Sequence, residues 1–131
     1  MGESHRVVSE STSNTMADLL SAVVCSGTGT RAQVPGITVA GKTGTGYKVQ
    51  DNGTYVTEDG SRAYFATFVG YLPADNPRVT ILVSIDEPDP SSRDRFGGTA
   101  AAPVFSALAQ VAIQELSIEP TAGDVGCVAA E

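Results

Sequence analysis

Residues 37–45 have the sequence Ile37-Thr-Val-Ala-Gly-Lys-Thr-Gly-Thr45. β-Branched residues recur through it, which favours an extended strand. Its glycines mark positions where another group must approach the backbone closely. The stretch therefore predicts a β-strand that ends in the segment Lys42-Thr-Gly-Thr45, called here the KTGT segment.

Residues 36–43 also match the phosphate-loop pattern G-x-x-x-x-G-K-[ST]. That motif requires a strand before the first glycine and a helix that begins at the Gly-Lys pair. Here the four residues between the two glycines are strand formers, and Gly44 and Gly46 would break the required helix. The pattern therefore favours a strand over a nucleotide-binding loop.

As a strand, the KTGT segment is suited to bind a carboxylate. The pleat places Thr43 and Thr45 on one face and Lys42 on the other, so local twist must bring the ammonium group round to the threonines. A lysine about 4 Å from a carboxylate gains about 4 kcal/mol before desolvation, and each threonine hydroxyl can add about 1.5–3 kcal/mol. Gly44 has no side chain to obstruct an extended peptide laid along the strand. The alternative is an exposed, solvated Lys-Thr pair without a ligand.

Two more strands and two helices surround this segment in the sequence. Residues 63–72 and 78–86 are long apolar runs joined by a Pro- and Asn-containing turn, which predicts a hairpin. Ser9 or Ser11 is the expected N-cap of an upstream helix, and Pro103 opens a downstream helix. The expected apolar stripes are Met16, Leu19, Leu20, Val23 and Val24 in the first helix, and Val104, Phe105, Leu108, Val111, Ala112 and Leu116 in the second.

The order of elements predicts an α+β fold in which an antiparallel sheet of about three strands is covered by N-terminal and C-terminal helices. Both strands of the hairpin are apolar on both faces, which two helices can barely cover. We therefore expect an incomplete piece of a fold. We also expect self-association through an unpaired sheet edge or an exposed apolar face.

Composition excludes several classes of function. The chain has 131 residues and a formal charge of −7, without a cluster of Lys or Arg, so neither nucleic acid nor an anionic membrane is an expected partner. His5 is the only histidine, which excludes a His-dependent triad or a His-rich metal site within this chain. No export signal is visible and no apolar run is long enough to span a bilayer. We expect Cys25 and Cys127 to be unpaired, with one disulfide as the alternative.

The string from Val39 to Thr45 resembles the third motif of penicillin-binding proteins and serine β-lactamases. Residues 27–36 are similar to the loop that precedes this strand in class B penicillin-binding proteins. Residues 65–77, 84–88 and 97–105 resemble that family's last two strands and closing helix. The resemblance implies that residues 1–131 are the C-terminal portion of a single transpeptidase domain, with a core over about 7–116 and a tail over 117–131.

The resemblance also implies a function, which is that of a peptidoglycan D,D-transpeptidase acting through a serine ester. Lys42 would position the catalytic machinery and attract the carboxylate of the stem peptide or of a β-lactam, and Thr43 and Thr45 would hydrogen-bond to that carboxylate. The backbone N–H of Thr45 would donate to the oxyanion, and Gly44 would permit the antiparallel docking of substrate. No cofactor or metal is implied. The expected location is the extracytoplasmic face of the bacterial cytoplasmic membrane, with an anchor upstream.

The nucleophile of that family is missing from this chain. Ser-x-x-Lys is absent, because Val39 and Thr45 stand three residues before the only lysines, Lys42 and Lys48. Ser-x-Asn is absent as well. We therefore expect this chain alone to be inactive and the remainder of the domain to supply the serine. Two alternatives stay open, a non-catalytic binding or scaffold module and a β-lactamase-type hydrolase.

Overall fold

The computed structural model describes residues 5–120 and Cys127. Expectations for residues 1–4 and, apart from Cys127, for the tail over 121–131 lie outside the described residues. The elements in chain order are helix α1 (Glu10–Cys25), strands β1 (Ala40–Tyr47), β2 (Tyr64–Leu72) and β3 (Val79–Asp86), and helix α2 (Ala102–Glu115). A 3-10 turn at Thr30–Ala32 precedes β1, and a π-helical turn at Gly97–Ala101 leads into α2. The predicted α+β fold is confirmed.

Of the two candidate N-caps of α1, Ser9 is the one that the structure uses. Its side-chain oxygen accepts a hydrogen bond from the backbone N–H of Thr12 at 3.1 Å, which satisfies one of the free donors of the first turn. The helix ends after Cys25, where the N–H groups of Ser26 and Gly27 bond back to Ala22. The chain then leaves the helix in the loop that leads to β1.

The sheet has the order β1-β2-β3 with both pairs antiparallel. Lys42 is paired with Val69, and Val69 with Leu82, so these three residues lie on one face of the sheet. Phe68 lies on the opposite face and is fully buried. The register therefore defines an inner face, which carries Phe68, and an outer face, which carries Lys42.

The hydrophobic core lies against the inner face. The rings of Phe68 and Phe105 meet edge to face with centroids 4.8 Å apart. A Cβ atom added at Gly70 would lie 2.9 Å from the Phe105 ring, so this glycine lets α2 approach the sheet closely. The other members of the core cluster are Val24, Ala32, Val34, Ile37, Val39, Leu72, Val83, Ala101, Ala102, Ala109 and Ile118.

Burial on both faces of the hairpin was predicted, but among the described residues only the inner face is covered. On the outer face, Phe65 and Val69 are 43% and 42% exposed and Leu82 is 65% exposed. The apolar sequence of β2 and β3 thus exceeds what the described elements can bury.

The apolar stripes predicted for the two helices are partly wrong. In α1 only Val24 is fully buried, because the helix meets the core cluster through its last turn. In α2 the buried residues are Ala102, Phe105 and Ala109, since small alanines allow the helix to lie close to the sheet. The expected stripe members that are exposed are Met16, Leu19, Val104, Leu108, Val111 and Leu116.

The expectation of two unpaired cysteines is also wrong. Cys25 and Cys127 form a disulfide with their Cα atoms 5.1 Å apart. The pairing could not be predicted from the sequence, because the two cysteines are 102 residues apart. The bond links the end of α1 to Cys127, and Ile118, which precedes Cys127 in sequence, packs into the core.

Candidate functional site

The backbone of the KTGT segment faces an open edge of the sheet. Lys48 donates its N–H to the carbonyl of Ala63 at 2.9 Å, and hydrogen-bonded pairs alternate along an antiparallel ladder. With this register the even-numbered residues of β1 bond to β2. The N–H and C=O groups of Thr43 and Thr45 therefore point away from β2, where no described strand pairs with β1.

Lys42 brings its charge to that same edge. Its Nζ atom donates to the carbonyl oxygen of Thr43 at 3.0 Å and contacts Oγ1 of Thr43 at 3.3 Å. Because that carbonyl points out of the open edge, the ammonium group lies there as well. Curling of the side chain thus brings the charge round from the outer face. Among the described residues no carboxylate forms an ion pair with it, so the charge is available to an anionic ligand.

Lys48 differs from Lys42 in that its charge is compensated. Its Nζ atom lies 2.8 Å from Asp86 and 3.2 Å from Glu87. The hydrogen bonds to Asp86 and Glu87 raise the pKa of Lys48 above its ordinary value. Lys48 is therefore a structural ion-pair partner at the end of the sheet and a natural control for Lys42.

Two different segments hold the two threonine hydroxyls. Oγ1 of Thr43 lies 2.9 Å from Oγ1 of Thr28 in the loop before β1. Oγ1 of Thr45 accepts the backbone N–H of Gly97 at 3.0 Å. Since this contact uses a lone pair of Thr45, the hydroxyl proton remains able to donate to a carboxylate.

Two glycines allow the close contacts around the segment. A Cβ atom on Gly97 would overlap the carbonyl oxygens of Thr67 and Gly44, and one on Gly44 would overlap the hydroxyl of Thr67. Gly44 is thus required by Thr67 on the outer face, a structural reason that stands beside the predicted one of leaving room for a substrate.

An aromatic cluster with two guanidinium groups lies beyond the end of the KTGT segment. The ring centroids of Tyr47 and Tyr64 are 5.4 Å apart, as are those of Tyr64 and Phe96. The guanidinium of Arg62 lies 4.5 Å from the Tyr47 ring, and that of Arg95 lies 5.1 Å from the Phe96 ring. These contacts brace the end of β1 next to Gly97.

All four residues predicted for the site, Lys42 to Thr45, lie in β1. The ammonium of Lys42 and the backbone groups of Thr43 and Thr45 face its open edge, whereas the backbone of Gly44 bonds to β2. The sequence analysis assigned no role to Thr28, which contacts the hydroxyl of Thr43, or to Gly97, which contacts the hydroxyl of Thr45. The glycine-rich strings at 27–29 and 97–98 are a weak indication that the backbone is closely approached at these positions. A cavity of about 670 Å³ between α1 and the turn after β2 contains none of the four residues.

Comparison with known proteins identifies the family of this chain. Residues 3–110 match the family model described as the penicillin binding protein transpeptidase domain. Stage V sporulation protein D of Bacillus subtilis is 38% identical over 115 residues, which are 88% of this chain and 17% of that protein. Peptidoglycan D,D-transpeptidase FtsI of Escherichia coli K12 is 34% identical over 122 residues, which are 92% of this chain and 20% of that protein.

A solved structure gives the same result. Penicillin binding protein 3 of Mycobacterium tuberculosis, complexed with ampicillin, superimposes with a TM-score of 0.73 at 35% identity, covering 92% of this chain and 27% of that one. The chain belongs to the penicillin-binding protein transpeptidase family. It spans about a fifth of the length of the curated relatives named above.

Proposed function

We propose that this chain supplies the substrate-binding strand of a peptidoglycan D,D-transpeptidase, and that β-lactams bind to the same strand. The proposal rests on the arrangement of four groups along β1. The outward-facing backbone N–H of Thr45, the hydroxyls of Thr43 and Thr45, and the ammonium of Lys42 lie on one edge strand. No carboxylate in the described part of the chain pairs with that ammonium. Such an edge can pair with an extended peptide that ends in a carboxylate.

Each residue has a distinct role in this proposal. Lys42 attracts the carboxylate of the peptide or of the β-lactam and helps to position the catalytic machinery, and Thr43 and Thr45 hydrogen-bond to that carboxylate. Gly44 leaves the strand free of a side chain along the docked peptide. The backbone N–H of Thr45 is one donor of the oxyanion hole, and loss of such a donor typically costs about 3–4 kcal/mol of transition-state stabilisation.

The nucleophile in this proposal comes from another part of the domain. Residues 1–131 act as the C-terminal portion of one transpeptidase domain, whose remainder provides the Ser-x-x-Lys and Ser-x-Asn elements that this sequence lacks. The relatives named as transpeptidases and the ampicillin complex support this assignment. The substrate is then the peptidoglycan stem peptide, and the site of action is the extracytoplasmic face of the cytoplasmic membrane. Neither α1 nor α2, the α-helices in the described part of the chain, could span a bilayer.

The proposal is tested by labelling with a fluorescent penicillin. A longer protein that contains this chain and the serine should be labelled, whereas the 131-residue chain alone should not. In the longer protein Lys42→Ala should slow acylation far more than Lys48→Ala, because only Lys42 lies at the open edge. Equal effects of the two substitutions would contradict the assignment of Lys42 to the site.

The same protein separates the two alternatives. A longer chain that carries no Ser-x-x-Lys would make the scaffold interpretation correct. Rapid turnover of the acyl-enzyme would indicate a β-lactamase-type hydrolase, while an acyl-enzyme that lasts many minutes indicates a transpeptidase.

A further inference from the structure

The geometry of the KTGT segment depends on two segments that are far apart in sequence. Thr28 contacts the hydroxyl of Thr43, and Gly97 contacts that of Thr45. These two segments also touch each other, since a Cβ atom on Gly98 would overlap the carbonyl oxygen of Thr28. A shift of one segment relative to the other would therefore change how both threonines are held.

Arg31 connects these two segments directly. It lies three residues after Thr28, and its Nη1 atom donates to Oδ1 of Asp94 at 2.9 Å and to the carbonyl of Thr99 at 3.3 Å. Asp94 and Thr99 stand on either side of Gly97 in sequence. One guanidinium thus binds the 94–99 segment both before and after the residue that contacts Thr45.

Global stability is a poor explanation for this contact. The side chains of Arg31 and Asp94 are 52% and 56% exposed, and exposed ion pairs contribute little to the free energy of folding. The loop also has its own brace, because Nη1 of Arg95 donates to the carbonyls of Pro90 and Ser92. What Arg31 adds is the position of that loop relative to the KTGT segment.

We propose that Arg31 is a positioning residue for the KTGT segment. It holds the 94–99 segment against the loop that carries Thr28, so that the Gly97 N–H and the Thr28 hydroxyl meet the two threonines at the distances observed. The consequence for acylation rests on the proposed function, whereas the positioning itself does not. Positional errors of about 1 Å at a site can cost about a hundredfold in rate.

The test has one readout that is independent of activity. In the 131-residue chain, hydrogen exchange of the Gly97 amide measures its contact with Thr45. Arg31→Gln should accelerate this exchange by about tenfold or more and leave the amide of buried Phe68 unchanged. The matched control is Arg93→Gln, which removes a neighbouring exposed guanidinium that makes no hydrogen bond or ion pair among the described residues, and it should change neither amide.

The second readout is acylation by a fluorescent penicillin in the longer protein. Arg31→Gln and Asp94→Asn should each slow acylation by about 5–20-fold, and the double variant should be no slower than the singles. The exchanged pair, Arg31→Asp with Asp94→Arg, should recover part of the rate. Unchanged Gly97 exchange in Arg31→Gln would overturn the positioning role whatever the labelling shows. Accelerated exchange in a protein that is never labelled would leave the positioning role standing and reject the proposed function.

Discussion

The Nζ atom of Lys42 lies 3.0 Å from the carbonyl oxygen of its neighbour Thr43, although the pleat directs their two side chains to opposite faces of β1. The contact is possible because that carbonyl is free of the ladder with β2 and points out of the sheet edge. A cation, two hydroxyls and the outward-facing N–H and C=O groups of Thr43 and Thr45 are thereby brought together at one edge strand.

Gly97→Ala should destabilise the protein by about 1–3 kcal/mol, because its Cβ atom would overlap backbone oxygens that cannot rotate away. The matched control is Gly46→Ala in β1, where an added Cβ atom meets nothing within 4 Å. This control should change the free energy of unfolding by less than about 1 kcal/mol. Urea denaturation of the chain measures both values, and similar values for the two variants would contradict the close packing of Gly97 on β1.

Removal of the disulfide should cost about 2–5 kcal/mol of unfolding free energy, because the bond closes a very long loop. Cys25→Ser, Cys127→Ser and the double variant should be equally destabilised, since each loses the same bond. A reductant should bring the melting temperature of the unsubstituted chain down to that of the variants. An unsubstituted chain whose melting temperature is insensitive to reductant would contradict the pairing.

The exposed outer face should cause self-association of the 131-residue chain. Leu82 is the most exposed apolar residue of this face, beside Val69, and burying one such side chain contributes about 1.5–3 kcal/mol. Leu82→Lys should therefore weaken association by about 10–100-fold in Kd, as measured by sedimentation equilibrium. Thr80→Lys adds the same charge on the same face without removing an apolar group and should have a smaller effect. A chain that stays monomeric at high concentration would contradict this prediction.

The loop between β1 and β2 should contain a carboxylate that titrates at unusually low pH. Hydrogen bonds from Thr57 and Ser61 lower the pKa of Asp59 from 3.8 to about 2. Because its pKa is lowered in the folded state, the ionised carboxylate of Asp59 stabilises the loop fully above pH 3.8. This stabilisation is lost as the pH falls through about 2. An NMR titration of the Asp59 carboxyl should give this midpoint, and Thr57→Val should raise it. A midpoint near 4 in the unsubstituted chain would contradict the hydrogen bonds.

Local sequence was sufficient to predict the strands, the hairpin and the extended KTGT segment. The predicted ranges of the three strands differ from the observed ones by a few residues at most, because β-branched runs, glycines and the Pro-Asn turn all favoured the same structure. The choice against a phosphate loop followed from Gly44 and Gly46, and the structure confirms an extended strand there.

Features that depend on distant residues could not be predicted. The disulfide joins residues 102 positions apart, and the contacts of Thr28 and Gly97 with the threonines arise only when three segments meet. The predicted helix stripes were partly wrong because tertiary packing selects the buried face. Apolar periodicity shows which helix face can be buried, but α2 carries two apolar faces, and only the packing of Ala102, Phe105 and Ala109 decides between them.

We propose that the open edge of β1 binds a carboxylate-bearing peptide or β-lactam. The most direct test is a crystal structure of a longer protein that contains this chain, acylated by a penicillin. The ligand carboxylate should lie within hydrogen-bond distance of the hydroxyls of Thr43 and Thr45, and the acyl oxygen should lie at the backbone N–H of Thr45. A ligand bound elsewhere, with the edge from Lys42 to Thr45 unoccupied, would contradict it.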